Sequence, residues 1–279
     1  MKKIDLHIHT NYSDGLLSPE QILKLAKEKD YDVISITDHD TIDGYNIAKE
    51  IAGDYGIKLI PGVEISSNHK GIDVHMLAYN FDTNNHEFSK LLHTIHKGRL
   101  LRAKKIVKKL NNMGFDIKLD EINDISGKKN LIGRPHIARV LVNKGYCYNT
   151  QEVFNKYLGQ DRPANIPKPV PSTKKIIKAI HDVNGIAVLA HPYTLNNHNV
   201  FREIINMDID GLEVFCTKCS EEMIEYYNNI ALEKNLIRTG GSDFHGDGLD
   251  MDLFGENSVP EFVLDELEYF ESNKKWMVL

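Results

Sequence analysis

Short, almost continuous apolar runs alternate along this chain with longer stretches of helical periodicity. Ile4–His9 and Asp32-Val33-Ile34-Ser35-Ile36-Thr37 predict strands, the second apolar enough to be covered on both faces. Between them Ser18-Pro19-Glu20-Gln21 is a helix start, with Ser18 as N-cap, Pro19 at the first helical position and a Ser-x-x-Gln capping box. A helix over Tyr45–Tyr55 ends at Gly56, and strands follow over Ile57–Val63 and Ile72–Ala78, paired through the turn-rich Ser66–Gly71. The rhythm then changes. Residues 86–112 form one long helical pattern, with Leu91, Leu92, Ile95, Ile106, Val107 and Leu110 at helical spacings. Further short helices are expected over about 117–159, and four prolines in Pro163–Pro171 end them. Alternation resumes with helix Thr173–Asp182, strand Ile186–Ala190, strand Ile209–Phe215, helix Ser220–Lys234 and strand Leu236–Gly240. Some seven strands with intervening helices predict a parallel α/β barrel-like fold interrupted by a helical insertion.

Composition fits that picture. The chain has 279 residues, 41% hydrophobic and 27% charged, as in a globular protein with a sizeable core. The charged start, Met1-Lys2-Lys3-Ile4-Asp5, argues against a secretory leader, and no apolar run reaches the ~20 residues of a membrane span. Three cysteines do not make a disulfide framework, so a reducing cytoplasm is the expected setting. The net charge of −6 is unevenly spread. Residues 86–171 carry 17 Lys and Arg against 7 Asp and Glu, while the remainder carries 17 against 33. An acidic body suits cations, and a basic insertion beside it suits a phosphate-rich substrate. Arg99, Lys104, Lys105, Lys108 and Lys109 read equally well as a solvated helix face.

The candidate chemistry clusters at strand ends. His7 and His9, two apart on a strand, share a face. Asp38-His39-Asp40 follows the second strand and Glu64 the third; His75 lies in the fourth. His191 follows Ala190, and Asp243 with His245 follows the last strand. In a parallel barrel those ends converge on one mouth. Nine groups, namely His7, His9, Asp14, His39, Glu64, His75, His191, Asp243 and His245, are too many for one ion. They suit two or three divalent ions with Glu64 as a bridge. Mixed imidazole and carboxylate donors favour Mn, Zn or Fe over Mg or Ca.

Asp5-Leu6-His7-Ile8-His9-Thr10, Ser13-Asp14-Gly15, Thr37-Asp38-His39, Pro61-Gly62-Val63-Glu64, His191-Pro192 and Gly241-Ser242-Asp243-Phe244-His245 resemble the motifs of the PHP (polymerase and histidinol phosphatase) family over roughly residues 1–250. The resemblance implies a distorted seven-stranded (β/α)7 TIM-like barrel, residues 1–85 and 172–279, with a helical cap at 86–171. It also implies a trinuclear centre: one ion on His7, His9, Glu64 and Asp243, a second on Asp14, His39 and His245, a third on Glu64, His75 and His191.

Gly133-Arg134-Pro135-His136-Ile137-Ala138-Arg139 resembles the segment of the nucleotide- and RNA-directed members (the RNase AM-like group), where the Arg and His bind substrate phosphate. Arg134 offers a planar fork for phosphate oxygens, and His136 a second donor or a leaving-group acid. The plainer alternative for Arg134 is a helix cap or surface ion pair. Asp38 and Glu213 are expected to orient ligating groups, Glu213 alternatively a lysine such as Lys218. Cys216-Thr217-Lys218-Cys219 departs from the family pattern, and two buried free cysteines are the expectation there.

These readings converge on metal-dependent phosphoester hydrolysis, with hydroxide generated at the ions attacking phosphorus in line. The expected substrate is a 3′,5′-nucleoside bisphosphate or a mononucleotide; the alternatives are the 5′ end of short RNA and histidinol phosphate. Tyr146, Tyr148 and Phe154 are candidates to stack on a base, or else cap core. A non-catalytic metal-binding module is the reading from another class. No obligate protein partner is evident.

Overall fold

The computed structural model describes residues 2–125, 132–159, 161–246, 251, 254–256 and 259–277. The chain has a mixed α/β fold. Strand β1 (Ile4–Ile8), β2 (Val33–Ile36) and β3 (Lys58–Leu59) form a parallel three-stranded sheet in that order. Strands β4 (Gly62–His69), β5 (Ile72–Tyr79), β6 (Ile186–Leu189), β7 (Gly211–Cys216) and β8 (Ile237–Gly241) form the second sheet, also in chain order. Single bridges join the sheets: Ile8 on edge strand β1 to Phe244 just beyond β8, and His39 just beyond central strand β2 to Glu64 on β4.

The expected all-parallel arrangement fails at one strand. β5 runs antiparallel to β4 and to β6. Only two residues, Lys70 and Gly71, separate β4 from β5, both with positive φ, and the Gly71 N–H donates to Asn68 Oδ1. So short a link makes a hairpin and cannot make a parallel crossover. His75 therefore reaches the centre from within a reversed strand, paired with Ser66, rather than from a strand end.

Helices fill the connections largely as the periodicity predicts. α1 (Pro19–Glu28) starts at Ser18 with the reciprocal capping box formed, and α2 (Asp43–Ile51) runs into a 3₁₀ turn that stops at left-handed Gly56. α3 (His86–Asn112) matches its predicted span and serves two cores. Phe88, Leu92 and Ile95 pack with the β-sheet residues Val63, Met76 and Leu189, whereas Ala103, Ile106 and Leu110 pack with the insertion. There α4 (Leu119–Ile125), α5 (Arg134–Asn143), α6 (Thr150–Val153) and a π-helical turn over Phe154–Leu158 enclose Ile122, Ile137, Leu141, Val153 and Leu158.

α7 (Thr173–His181), α8 (His198–Ile205) and α9 (Glu221–Glu233) cover the second sheet. The sequence reading contained neither α8 nor the last helix, α10 (Phe262–Met277), which packs Val263, Leu264 and Leu267 against Ile4 and Tyr79. Among the described residues no helix is long and apolar enough to cross a membrane.

Candidate metal centre

All nine candidate ligands converge. His7 on β1 and His9 just after it present Nε2 atoms to one point. His9 Nε2 lies 3.3 Å from both Glu64 Oε2 and Asp243 Oδ1, and His7 Nε2 lies 3.6 and 3.5 Å from the same two oxygens. His39 Nε2 and His245 Nε2 lie 3.8 and 3.4 Å from the Asp14 carboxylate. Glu64 Oε1 is 2.8 Å from His75 Nδ1 and from His191 Nε2. Three sets of donor atoms are close enough to share a cation: His9, Asp14, His39 and His245; His7, His9 and Asp243; His39, Glu64 and His75. His9 thus reaches two of these sets.

The donors fit cations better than they fit each other. His7 Nε2, His9 Nε2, Asp14 Oδ1, His39 Nδ1 and Glu64 Oε2 are buried with no hydrogen-bond partner. One buried polar atom without a partner costs about 1–3 kcal/mol, so five pointing at one another form a strongly unfavourable arrangement unless something cationic joins them. Three of the nine non-glycine residues with positive φ among the described residues, His191, Asp243 and Asp40 at 25°, 53° and 55°, lie at or beside the cluster, in a region that costs about 1–3 kcal/mol each. Gly241 is required by proximity, since a Cβ there would sit 2.4 Å from the Cβ of His7.

Electrostatics follow from this crowding. Burial opposes ionisation of Glu64, but His39, His75 and His7 outweigh it and hold the carboxyl well below its usual range. Burial likewise opposes charge on His7, yet Glu213 and Glu64 keep its imidazole well above the ordinary value. Burial and the neighbouring His245 push His9 down to about 3.

Supporting groups emerge that the sequence reading left out of the site. Asp5 Oδ1 accepts from the His7 and Ser242 amides at 3.1 and 3.0 Å, tying β1 to the end of β8. Glu213, expected to orient a neighbour, has Oε1 2.8 Å from His7 Nδ1 and accepts from the His191 amide at 2.5 Å. Asp38 behaves differently from the expectation. Its Oδ1 accepts from the Thr10 amide and Ser13 Oγ, its Oδ2 from Thr10 Oγ1, all at 2.6–2.7 Å. It anchors the loop after β1 and reaches a cluster histidine through Ser13, whose Oγ lies 3.4 Å from His9 Nδ1.

The charged face of α3 divides. Lys104, Lys105, Lys108 and Lys109 are exposed, but Arg99 and Arg102 are 6% exposed, so these two are not part of a solvated face. Arg99 Nε donates to Asp40 Oδ2 at 2.5 Å and Nη2 to Ser66 Oγ at 2.7 Å, fastening α3 to the loop that carries His39. Arg102 Nε donates to the Ile166 carbonyl at 2.6 Å.

A cavity of about 570 Å³ adjoins the cluster, lined among others by His75, His191, Arg102, Arg134, Lys168 and Phe154. Asp73 sits 3.7 Å from Arg134 and 3.6 Å from Lys168. Lys168 Nζ also lies 2.9 Å from His75 Nε2; burial, together with Arg99, lowers its pKa to about 8. Arg134 donates to the Leu158 carbonyl at 3.1 Å and lies over the Phe154 ring. His136, third residue of α5, accepts from the Gly133 amide at 3.0 Å through Nδ1, and burial pushes its pKa down to about 4. It is therefore a neutral donor through Nε2 at pH 7, which favours the donor role over that of a leaving-group acid.

Two expectations are corrected nearby. Cys216 and Cys219 are half-buried and joined in a disulfide, so they are not free buried thiols; Cys147 is free and buried. Tyr148 is 94% exposed and so is not cap core.

An α/β frame that delivers histidines and carboxylates to one crowded point, beside a basic cavity, defines a metal-dependent hydrolase type of site. The PHP domain family matches over residues 5–158, and the chain belongs to that family. It is 34% identical over 249 residues to a 5′-3′ exoribonuclease of Haemophilus influenzae, covering 88% of this chain and 90% of that protein. It is 30% identical to a 3′,5′-nucleoside bisphosphate phosphatase of Chromobacterium violaceum, with 89% of each chain covered. A structure from Bifidobacterium adolescentis described as a metal-dependent phosphoesterase superimposes with a TM-score of 0.85 at 31% identity over 96% of both chains.

Proposed function

We propose that the chain is a metal-dependent phosphoesterase that hydrolyses nucleotide phosphoesters, with a 3′,5′-nucleoside bisphosphate or a mononucleotide as substrate. One observation carries the reading: His75 and His191 belong both to the ligand cluster and to the lining of the basic cavity. A phosphate drawn in by Arg102, Arg134 and Lys168 is thereby delivered against the cluster. In this reading the two sheets, joined by single bridges, make one distorted barrel of eight strands rather than the expected seven, and residues 86–171 its cap.

Two or three ions of Mn, Zn or Fe type would be held by His7, His9 and Asp243, by Asp14, His39 and His245, and by Glu64, His75 and His191. When bound they supply Lewis acidity toward phosphoryl oxygens and make water nucleophilic near neutral pH. The chain's own side chains do the rest. Arg134 presents a fork to phosphate oxygens, and Lys168 adds a point charge. Asp73, between them, offsets the repulsion of the two cations in the absence of substrate and yields its place to a phosphate. Neutral His136 donates a hydrogen bond without transferring its proton. Phe154 offers a ring face beside Arg134 on which a base can stack.

A 5′-3′ exoribonuclease is the second reading, favoured by the similarity to the Haemophilus influenzae enzyme. A cavity of about 570 Å³ is within the ordinary range for small-ligand sites and suits one nucleotide at a time under either reading. The test is chelation, then Mn add-back, with turnover of a bisphosphate, a mononucleotide and a short 5′-phosphorylated RNA compared. Hydrolysis at full rate by stripped protein would sink the proposal. A preference for the RNA would select the second reading.

A further inference from the structure

Cys216 closes β7, and Cys219 immediately precedes Ser220, whose hydroxyl caps α9. The disulfide between them spans Cα atoms 5.3 Å apart, and the Cys219 amide donates to the Cys216 carbonyl at 3.1 Å. A bridge across a four-residue turn closes a short loop and so confers less chain-entropy stabilisation than one closing a long loop. Both sulfur-bearing residues are half-buried and within reach of solvent, and the exposed cation of Lys218 lies between them in sequence. Those are the surroundings of a reactive thiol pair. In a reducing compartment, cysteines linked in this way exchange rather than stay fixed.

The turn abuts the metal centre on two sides. Lys218 Nζ lies 3.4 Å from Asp243 Oδ2, while Asp243 Oδ1 faces His7 and His9. Cys216 pairs in register with Gly241, two residues before Asp243, and Glu213 on the same strand holds His7 and His191. With the bridge closed, Lys218 lies against the carboxylate. An ammonium on one oxygen of a carboxylate repels a divalent cation approaching the other.

We propose that Cys216 and Cys219 form a reversible thiol–disulfide site that holds Lys218 on Asp243 when oxidised and so lowers the affinity of the metal centre for a divalent cation. The oxidant is a low-molecular-weight disulfide. One protein thiolate attacks it and expels one small thiol, forming a mixed disulfide; the second protein thiolate displaces the other small thiol. The protein loses two hydrogens and the small disulfide becomes two thiols. A dithiol reductant reverses the exchange. The effect on affinity rests on the proposed metal centre, whereas formation of the bond does not.

The full chain is equilibrated with oxidised or reduced glutathione, alkylated for mass analysis, and titrated with Mn²⁺, which unlike Zn²⁺ has little affinity for thiolates. Cys216 and Cys219 are expected to alkylate only after reduction, and Mn²⁺ affinity to rise about tenfold on reduction. Lys218→Met is expected to form the disulfide normally yet show the higher affinity in both states. The Cys216→Ser/Cys219→Ser variant is expected to keep the higher affinity under either treatment. Thiols that stay alkylatable in oxidised glutathione, or Mn²⁺ affinity equal or lower in the reduced protein, overturn the proposal. Phosphoester turnover measured alongside separates it from the functional reading. A shift in Mn²⁺ affinity without turnover sinks the hydrolase assignment alone, and turnover without the shift sinks the redox site alone.

Discussion

Glu64 Oε2 lies 2.7 Å from Nδ1 of His39, and neither atom takes part in a hydrogen bond. Two buried polar atoms so close without a shared proton call for a cation. Adding Mn²⁺ to chelator-stripped protein is therefore expected to raise Tm. The gain grows with the logarithm of free metal, reaching about 2.7 kcal/mol at one hundred times Kd. Glu64→Gln removes the charge that five histidines face and is expected to abolish most of that gain, as read by calorimetry. An equal gain in the variant would place the binding elsewhere.

The buried Arg99–Asp40 pair predicts a marked asymmetry between single and paired substitutions. Asp40→Ala leaves the Arg99 guanidinium buried beside Ser66 and is expected to cost about 3–5 kcal/mol in urea unfolding. Exchanging both residues together, Asp40→Leu with Arg99→Met, is expected to cost much less, because no charge is left buried. A double variant as unstable as the sum of the singles would count against the pair.

Arg99 also shows where reading the sequence stopped. Helical spacing tells which residues of α3 share a face but not what covers that face. Gly98 meets Pro169 and Arg102 meets the Ile166 carbonyl, so a return of the chain more than sixty residues later buries what looks like a charged surface. The nine ligands were legible because each follows or occupies a recognisable apolar run. Lys168 was not, because it sits in a proline-rich stretch without periodicity. Likewise β5 was found as a strand, but its direction depended on the two-residue link Lys70-Gly71. The Cys216–Cys219 bond could not be read from spacing, since free and joined pairs look alike in sequence.

The cavity predicts a split between substrates. Arg134→Ala is expected to lower kcat/KM for every phosphoester by roughly 10², the usual loss when a donor to phosphoryl oxygens is removed. Arg102 is a second guanidinium lining the same cavity, and Arg102→Ala is expected mainly to raise KM for a 3′,5′-bisphosphate, with a mononucleotide little affected. Steady-state kinetics on the two substrates check this. Equal losses on both would remove the case for a second phosphate beside Arg102.

His136 makes stability depend on pH in a defined direction. Burial lowers its pKa from 6.5 to about 4, and the Gly133 amide occupies Nδ1. Between those values the unfolded chain takes up a proton that the folded one refuses. Its contribution is therefore fully present above pH 6.5 and is lost as pH falls toward 4. Over the whole window the loss amounts to about 3 kcal/mol, and roughly 2 kcal/mol of it falls by pH 5. His136→Gln cannot titrate and keeps a polar side chain at the start of α5. Urea midpoints at pH 7 and pH 5 are expected to fall more in the wild-type protein than in the variant, whatever other histidines contribute to both. Parallel falls in the two proteins would show that His136 accepts its proton in the folded state as readily as in the unfolded one. Nε2 would then be the donor of an imidazolium, and the leaving-group role would return.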